Sequence, residues 1–278
     1  MILIADSGST KTHWGLADEN SESPVIEFQT SGINPFYQDK NSILHMLQEE
    51  FIWKINTPVR LFFYGAGCSG VDSKAIVFEP LNTFFNPSSI SVESDLMAAA
   101  HSLCQHEAGL ACIIGTGSNS CYYNGKEITR HVPSLGYILG DEGSGADIGR
   151  RLVADILKHQ LADDLAEHFF STFHYTREEI LEHVYKNPFP NRFLAGFAPY
   201  VGDNIGIPAL RNLVKTGFTD FFIRNIRQYP EAVKHPVHFT GSIAWHFRDI
   251  LAESAAENGF RVGLITQSPM NGLIRFHF

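Results

Sequence analysis

The chain has 278 residues, 44% of them hydrophobic, enough to bury a full core and to form two domains. Its formal net charge is −9 with no basic block, which argues against nucleic acid or an anionic membrane as a partner, since both need clustered Lys and Arg. No basic segment runs into an apolar stretch of signal-peptide length, and no run is long enough to cross a bilayer, so a cytoplasmic enzyme acting on small molecules is expected. In chain order, residues 2–5 are a short apolar run suited to a buried strand, 12–17 resume the extended pattern, and 24–30 read as a third strand. A helix is expected over 39–51, a strand over 59–65, a helix over 71–85, a strand over 89–94 and a helix over 96–105.

A second strand group follows at 110–115, 120–124 and 126–132, with Asn124-Gly125 expected to form a type I′ hairpin turn. Residues 144–228 are mostly helical in pattern, broken at Asn187-Pro188, Pro190 and Pro208. A strand over 236–241, a helix from about 242 to 258 and a last strand over 260–265 complete the expectation. The boundary between domains is expected near 95–110, giving domains of 1–105 and 106–265, with residues 266–278 packing back on the first. Cys68, Cys104, Cys112 and Cys121 are scattered without a C-x-x-C pair and read as reduced thiols.

The two strand groups echo each other. "LIADSGST" at 3–10 and "CIIGTGSNS" at 112–120 each lead through a Gly-Ser turn into a second and third strand, so Gly8-Ser9 is matched with Gly117-Ser118. The first turn fails as a Walker loop, because Thr10 rather than Gly precedes Lys11 and no amphipathic helix follows. What remains is a hairpin whose amides and hydroxyls can wrap an oxyanion, with Asp6 placed to hold a hydrated Mg²⁺. Gly65, Gly67 and Gly70 spell G-x-G-x-x-G between a strand and a helix, with Glu93 ending the next strand. That leaves a dinucleotide-binding oxidoreductase open, although the motif lies in the second strand-helix unit and its acid is further on than about 20 residues.

Asp95 stands where a strand becomes a helix. Either the position is a helix N-cap, with Ser94 or Asp95 accepting backbone N–H bonds, or Asp95 is a carboxylate at the strand end where open α/β sheets bind ligands. In "SLGYILGDEGSGADIGRR" at 134–151, five glycines surround Asp141 and Glu142. Ser144 and Asp147 have the S-x-x-D spacing of a capping box, whereas Asp141 has no such structural role and suits hydrogen bonding to ligand hydroxyls. Gly241-Ser242 turns strand into helix, and the missing side chain at Gly241 lets something flat approach the backbone.

Taken in order, "ADSGSTKT", "GTGSNS", "LGYILGDEGSGADIGR" and "FTGSIA" resemble the BadF/BadG-type ATPase family, most closely its N-acetylglucosamine kinase branch within the sugar kinase/Hsp70/actin superfamily. The resemblance implies an α/β fold of two ribonuclease-H-like domains with a central ATP cleft. It implies that Gly8, Ser9, Thr10, Lys11 and Thr12 form one phosphate turn, that Asp6 is the magnesium-side acid and that Thr116 and Gly117 form the second phosphate turn. Gly241 and Ser242 would border the adenosine, Asp95 would be the catalytic carboxylate, and Asn34, Ser118, Asn119, Gly136 and Asp141 would line the amino-sugar pocket. ATP-dependent phosphorylation of N-acetylglucosamine or another hexosamine, with Mg²⁺ and in a homodimer, is what the likeness implies. Three departures accompany it: Ser7 where the family often has Gly, a short segment after residue 268, and bulky Phe36 and Tyr37 beside Asn34. A dehydratase activator with an iron–sulfur cluster would need cysteines in a cluster motif, which Cys68 and Cys104 do not form, and a non-catalytic sugar sensor stays open as another class.

Overall fold

A computed structural model describes residues 1–8, 10–18, 26–53, 55 and 59–278. The elements run β1 (Ile2–Ser7), β2 (Lys11–Ala17), β3 (Ile26–Ser31), α1 (Lys40–Glu50), β4 (Arg60–Gly65), α2 (Val71–Phe85), β5 (Ser89–Ser94) and α3 (Asp95–Cys104). Next come β6 (Ala108–Ile114), β7 (Ser118–Asn124), β8 (Ile128–Val132), α4 (Gly136–Leu139), α5 (Gly145–Leu157), α6 (Asp163–Phe173), α7 (Arg177–Tyr185), α8 (Pro190–Ala195), α9 (Ala198–Asp203) and α10 (Pro208–Arg224). The chain ends with β9 (Val237–Thr240), α11 (Ser242–His246), α12 (Arg248–Glu257), β10 (Val262–Thr266) and α13 (Met270–His277). By contact it divides into two units: residues 1–108 with 123–128 and 268–278, and residues 109–122 with 129–267.

In the first unit the sheet order is β3-β2-β1-β4-β5, with β1–β2 and β2–β3 antiparallel and β1, β4 and β5 parallel. Ile2, Leu3, Ile4 and Ala5 are all fully buried, as expected of a central strand covered on both faces. One face packs on α1 and α2 through Leu3, Ala5, Leu61 and Phe63; the other carries Ile2, Ile4 and Tyr64 against Met270, Leu273 and Ile274 of α13. Helix α1 starts at Asp39, whose carboxylate accepts from Ser42 N (2.8 Å) while Ser42 Oγ accepts from Asp39 N (3.0 Å), a reciprocal cap.

The second unit repeats the order as β10-β9-β6-β7-β8, with β6, β9 and β10 parallel. Helix α5 packs on α8 closely enough that a Cβ at Gly149 would lie 1.9 Å from the Leu194 carbonyl oxygen. Three local expectations are corrected. Asn124-Gly125 is not a type I′ turn: only Gly125 has positive φ, and Asn124 Oδ1 accepts from both Lys126 N and Glu127 N across a three-residue loop. The helix expected over 242–258 is two helices broken at Phe247. The echo also shifts in register: Gly8 N donates across its turn to Lys11 O (3.0 Å) and Gly115 N to Gly117 O (2.9 Å), so Gly8 corresponds to Gly115, not Gly117. Residues 24 and 25 of the expected third strand lie outside the described residues. Among the described residues no helix is long and apolar enough to cross a membrane.

Candidate active site

The parallel strands of the first unit end in one row, Ser7 beside Gly65 beside Ser94. The sequence-predicted residues of this unit gather along that edge. Ser7, buried, accepts from Ile33 N (2.9 Å), donates to Ile33 O (3.1 Å) and bonds Thr12 Oγ1 (2.7 Å), tying the β1–β2 turn to the loop that carries Asn34. This is the work a serine does where the resembled family has glycine. Gly8, Thr10 and Lys11 are exposed at the turn; Ser9 lies outside the described residues. Thr12 is corrected: fully buried, it donates its hydroxyl to Ser31 O (3.0 Å), so it builds the turn rather than offering its side chain to a ligand.

Asn34 is buried, and its Oδ1 accepts from Phe36 N (3.0 Å). The loop lies directly on Gly67, which has φ +84°; a Cβ there would sit 2.7 Å from Asn34 Oδ1 and 2.8 Å from Phe36 Cδ2. Close backbone approach to this loop therefore accounts for the middle glycine of G-x-G-x-x-G without a dinucleotide. Asp95 is the first residue of α3. Ser94 is the cap, accepting from Met97 N (3.2 Å), which leaves Asp95 to accept from the neighbouring Leu96 N (2.9 Å) at Oδ1 and from its own amide. Burial pushes the Asp95 carboxyl above its ordinary range, and burial together with the Asp95 charge pushes Asp6 up to about 7. Two like charges close enough to repel at a strand end form a site that a cation would stabilise.

In the second unit, Gly115 to Gly117 form the turn after β6. Gly145 N and Ala146 N at the start of α5 donate to Gly115 O (2.8 Å) and Thr116 O (3.1 Å). Gly241, φ +119°, presses on the same turn, and a Cβ there would lie 2.4 Å from Ile114 O. Asp141, itself at φ +56°, fills the space beside Gly117 and accepts from Ser118 N at Oδ1 (3.1 Å). Burial raises its carboxyl to about 6, opposed by the Ser118 amide and aided by Glu142 and Asp147. Half of the expected capping box holds: Ser144 Oγ accepts from Asp147 N (3.2 Å), but Asp147 Oδ2 accepts from Gly143 N (3.1 Å) and the carboxylate pairs with Arg150 and Arg151. Asn119 Oδ1 bonds Ser120 N and His131 Nε2, both 2.9 Å, and Gly136 is exposed with nothing within 4 Å of its Cβ position. The structure thus groups Thr116, Gly117, Ser118, Asp141, Gly241 and Ser242, whereas Asn119 is spent on neighbours along the sheet.

Beside this turn opens a cavity of about 710 Å³ that belongs wholly to the second unit. Thr116 and Ser242 line it, as do residues the sequence reading missed: Ala198, Pro199, Gly202, Ile205, Phe247 and Ile250. Asp203, Arg211, His246 and Asp249 line it too, and an apolar wall joined to a few polar groups is a composition that suits a nucleoside. The six-residue helix α9 and the break at Phe247 supply that wall, and neither carries a motif that could have disclosed it.

Two units with the same strand order, each turning through glycine at the end of its first strand, define the sugar kinase/Hsp70/actin class of protein. A crystal structure described as that of a candidate N-acetylglucosamine kinase from Porphyromonas gingivalis is 45% identical and covers 100% of this chain and 98% of its own, with a TM-score of 0.95. A second such candidate, from Chromobacterium violaceum, shares the fold at 17% identity and TM-score 0.72, covering 99% of each chain. A curated relative, the N-acetylmuramic acid/N-acetylglucosamine kinase of Clostridium acetobutylicum, is 28% identical over 166 residues, 56% of this chain; the match spans about half (53%) of that relative's length. No family profile matches the chain. The chain belongs to the N-acetylglucosamine kinase-like branch of the sugar kinase/Hsp70/actin superfamily.

Proposed function

We propose that the protein transfers the γ-phosphoryl group of ATP to the 6-hydroxyl of an amino sugar, N-acetylglucosamine first among them. The observation that carries the reading is Asp95: a carboxylate at a strand end, released from capping by Ser94 and held near the acid Asp6, in a chain of this family. Its carboxylate orients the acceptor hydroxyl and takes its proton as the new O–P bond forms and ADP leaves. Positioning and charge neutralisation do most of the work in phosphoryl transfer. The 710 Å³ cavity takes the nucleoside against Pro199 and Phe247, and Thr10 and Lys11 of the first turn and Thr116 of the second, all exposed, are phosphate-binding groups.

Among the described residues no cluster of three metal-ligating side chains exists, which suits Mg²⁺, an ion that keeps several waters and leans on substrate phosphates. Asp6 fits as its carboxylate contact, since a nearby cation would offset the burial and the Asp95 charge that together raise its pKa. Magnesium, when bound, neutralises phosphate charge. Asn34, Ser118 and Asp141 are the hydroxyl-binding groups for the sugar. A cytoplasmic setting and a homodimer belong to the same proposal and rest on the family resemblance.

A coupled ADP-release assay over N-acetylglucosamine, glucosamine, N-acetylmuramic acid and glucose, with and without Mg²⁺, tests the proposal. Sugar-dependent ADP release led by N-acetylglucosamine supports it, and release independent of every sugar overturns it. Asp95→Asn should lower kcat by about 10²-fold or more, the usual contribution of a general base, while ATP still binds.

A further inference from the structure

The face of the first unit's sheet that carries Asp6 also carries Tyr64 and Glu93, which stand in register with it on β1, β4 and β5. Tyr64 does not point toward ligand. Its phenol oxygen lies 2.8 Å from His101 Nδ1 on α3 and 2.8 Å from His277 Nε2 on α13. A phenol has one proton to give, so one imidazole accepts from Tyr64 and is neutral, while the other donates to it. Their surroundings agree: burial holds His101 down to about 4 and His277 down to about 3.

The rings interlock as well. Phe62 of β4 stacks on His277 at 3.6 Å between centroids, and Phe276 of α13 stacks on His101 at 3.8 Å. Gln105 completes the joint: its Nε2 donates to His101 O (3.0 Å) and Ser102 O (2.9 Å) on α3 and to Gly272 O (3.0 Å) on α13. Gly272 lies so close to Ser102 that a Cβ would meet its Oγ at 2.2 Å.

We infer that this His–Tyr–His clamp is a positioning device for Asp95, an inference that rests on the kinase reading given above. Asp95 opens the ten-residue helix whose other end the clamp grips. Six residues of helix separate Asp95 from His101, about 9 Å, so a tilt of about 10° at the clamp moves the carboxylate by about 1.5 Å. A displacement of about 1 Å at a reacting group can cost up to about 10²-fold in rate. His101, Tyr64, His277 and Gln105 act through α3 and touch no substrate.

The test compares His101→Leu and His277→Leu with His101→Asn and His277→Gln, whose amides restore a polar group near the lost ring nitrogen. Each is assayed for kcat, KM for ATP and Tm, beside Asp95→Asn. The leucine variants should lose about tenfold in kcat with KM for ATP within about twofold, and the amide variants should recover most of kcat even where Tm stays low. Unchanged kcat in the leucine variants, loss confined to KM, or kcat that follows Tm whatever the side chain, each overturns the clamp. Should the leucine variants fail to fold, Tyr64→Phe removes one oxygen and is read by the same criteria. An active Asp95→Asn sinks the kinase reading; an inactive one beside fully active clamp variants sinks the clamp alone.

Discussion

Asp6 shows what a proposed magnesium contact costs its own fold. Its pKa is 3.8 as a free carboxyl and about 7 in the folded chain, because it is held out of water beside Asp95. Between those values the folded state binds the extra proton, so stability falls as pH rises through the window and the whole penalty is present above about 7. Asp6→Asn should therefore raise Tm relative to the unaltered chain at pH 8 in the absence of Mg²⁺, and the difference should close toward pH 4. An equal difference at both pH values would contradict the assignment of the shift to Asp6. Asp141 was legible in the sequence as an acid without a capping duty, because Ser144 and Asp147 stood nearby with cap spacing, whereas Asp95 was not, since sequence left open whether it or Ser94 capped α3 until the Ser94–Met97 bond was seen. Thr12 and Asn119 were not separable from ligand-facing neighbours, since sequence shows a hydroxyl or an amide but not the bonds that already occupy it.

Glycine carries most of the meaning at the level of elements. In α5 the Gly149 position abuts the α8 backbone, so Gly149→Ala should destabilise by about 3 kcal/mol or more, read from the denaturant midpoint, because backbone cannot yield as a side-chain tip can. Gly202 is the opposite case. A Cβ there would meet only the Phe247 ring, at 3.7 Å and beyond, and the position lines the 710 Å³ cavity. Gly202→Leu should leave Tm near that of the unaltered chain and raise KM for ATP roughly tenfold, through loss of ground-state and transition-state binding alike. Titration with a fluorescent ATP analogue would check the same point without turnover. The alternation and turn signals located nearly every strand, since central parallel strands read as unbroken apolar runs. The wall of the 710 Å³ cavity escaped because α9 and the α11–α12 break come from packing around Phe247, and a helical pattern through 242–258 conceals it.

On the scale of the whole molecule, the same strand order appears twice, and the short echo at residues 3–10 and 112–120 was its trace in the sequence, displaced by two residues because the Gly-Ser pair opens the first three-residue turn and closes the second. The grouping of residues 268–278 with the first unit has an energetic consequence. Met270, Leu273 and Ile274 are each at most 2% exposed, and burying three such side chains contributes roughly 5–9 kcal/mol. That is comparable with the entire stability of an ordinary domain. Removing 268–278 should thus unfold the first unit while the second still binds nucleotide, and a peptide of those residues added in trans should restore part of the lost circular dichroism. Sequence could not weigh this segment, because eight helical residues look like a minor appendage until their partner face on Ile2, Ile4 and Tyr64 is seen.

Synthesis runs in the other direction from this dependence. Strands β1 and β4 leave the ribosome with Ile2, Ile4 and Tyr64 uncovered, and α13, their cover, is translated only after the whole of the second unit. A prematurely terminated product therefore carries an oily, unsealed sheet and a loosely held Asp95, which makes it both idle and recognisable to chaperones and proteases. The arrival of α13 is what seals the sheet that carries Asp6.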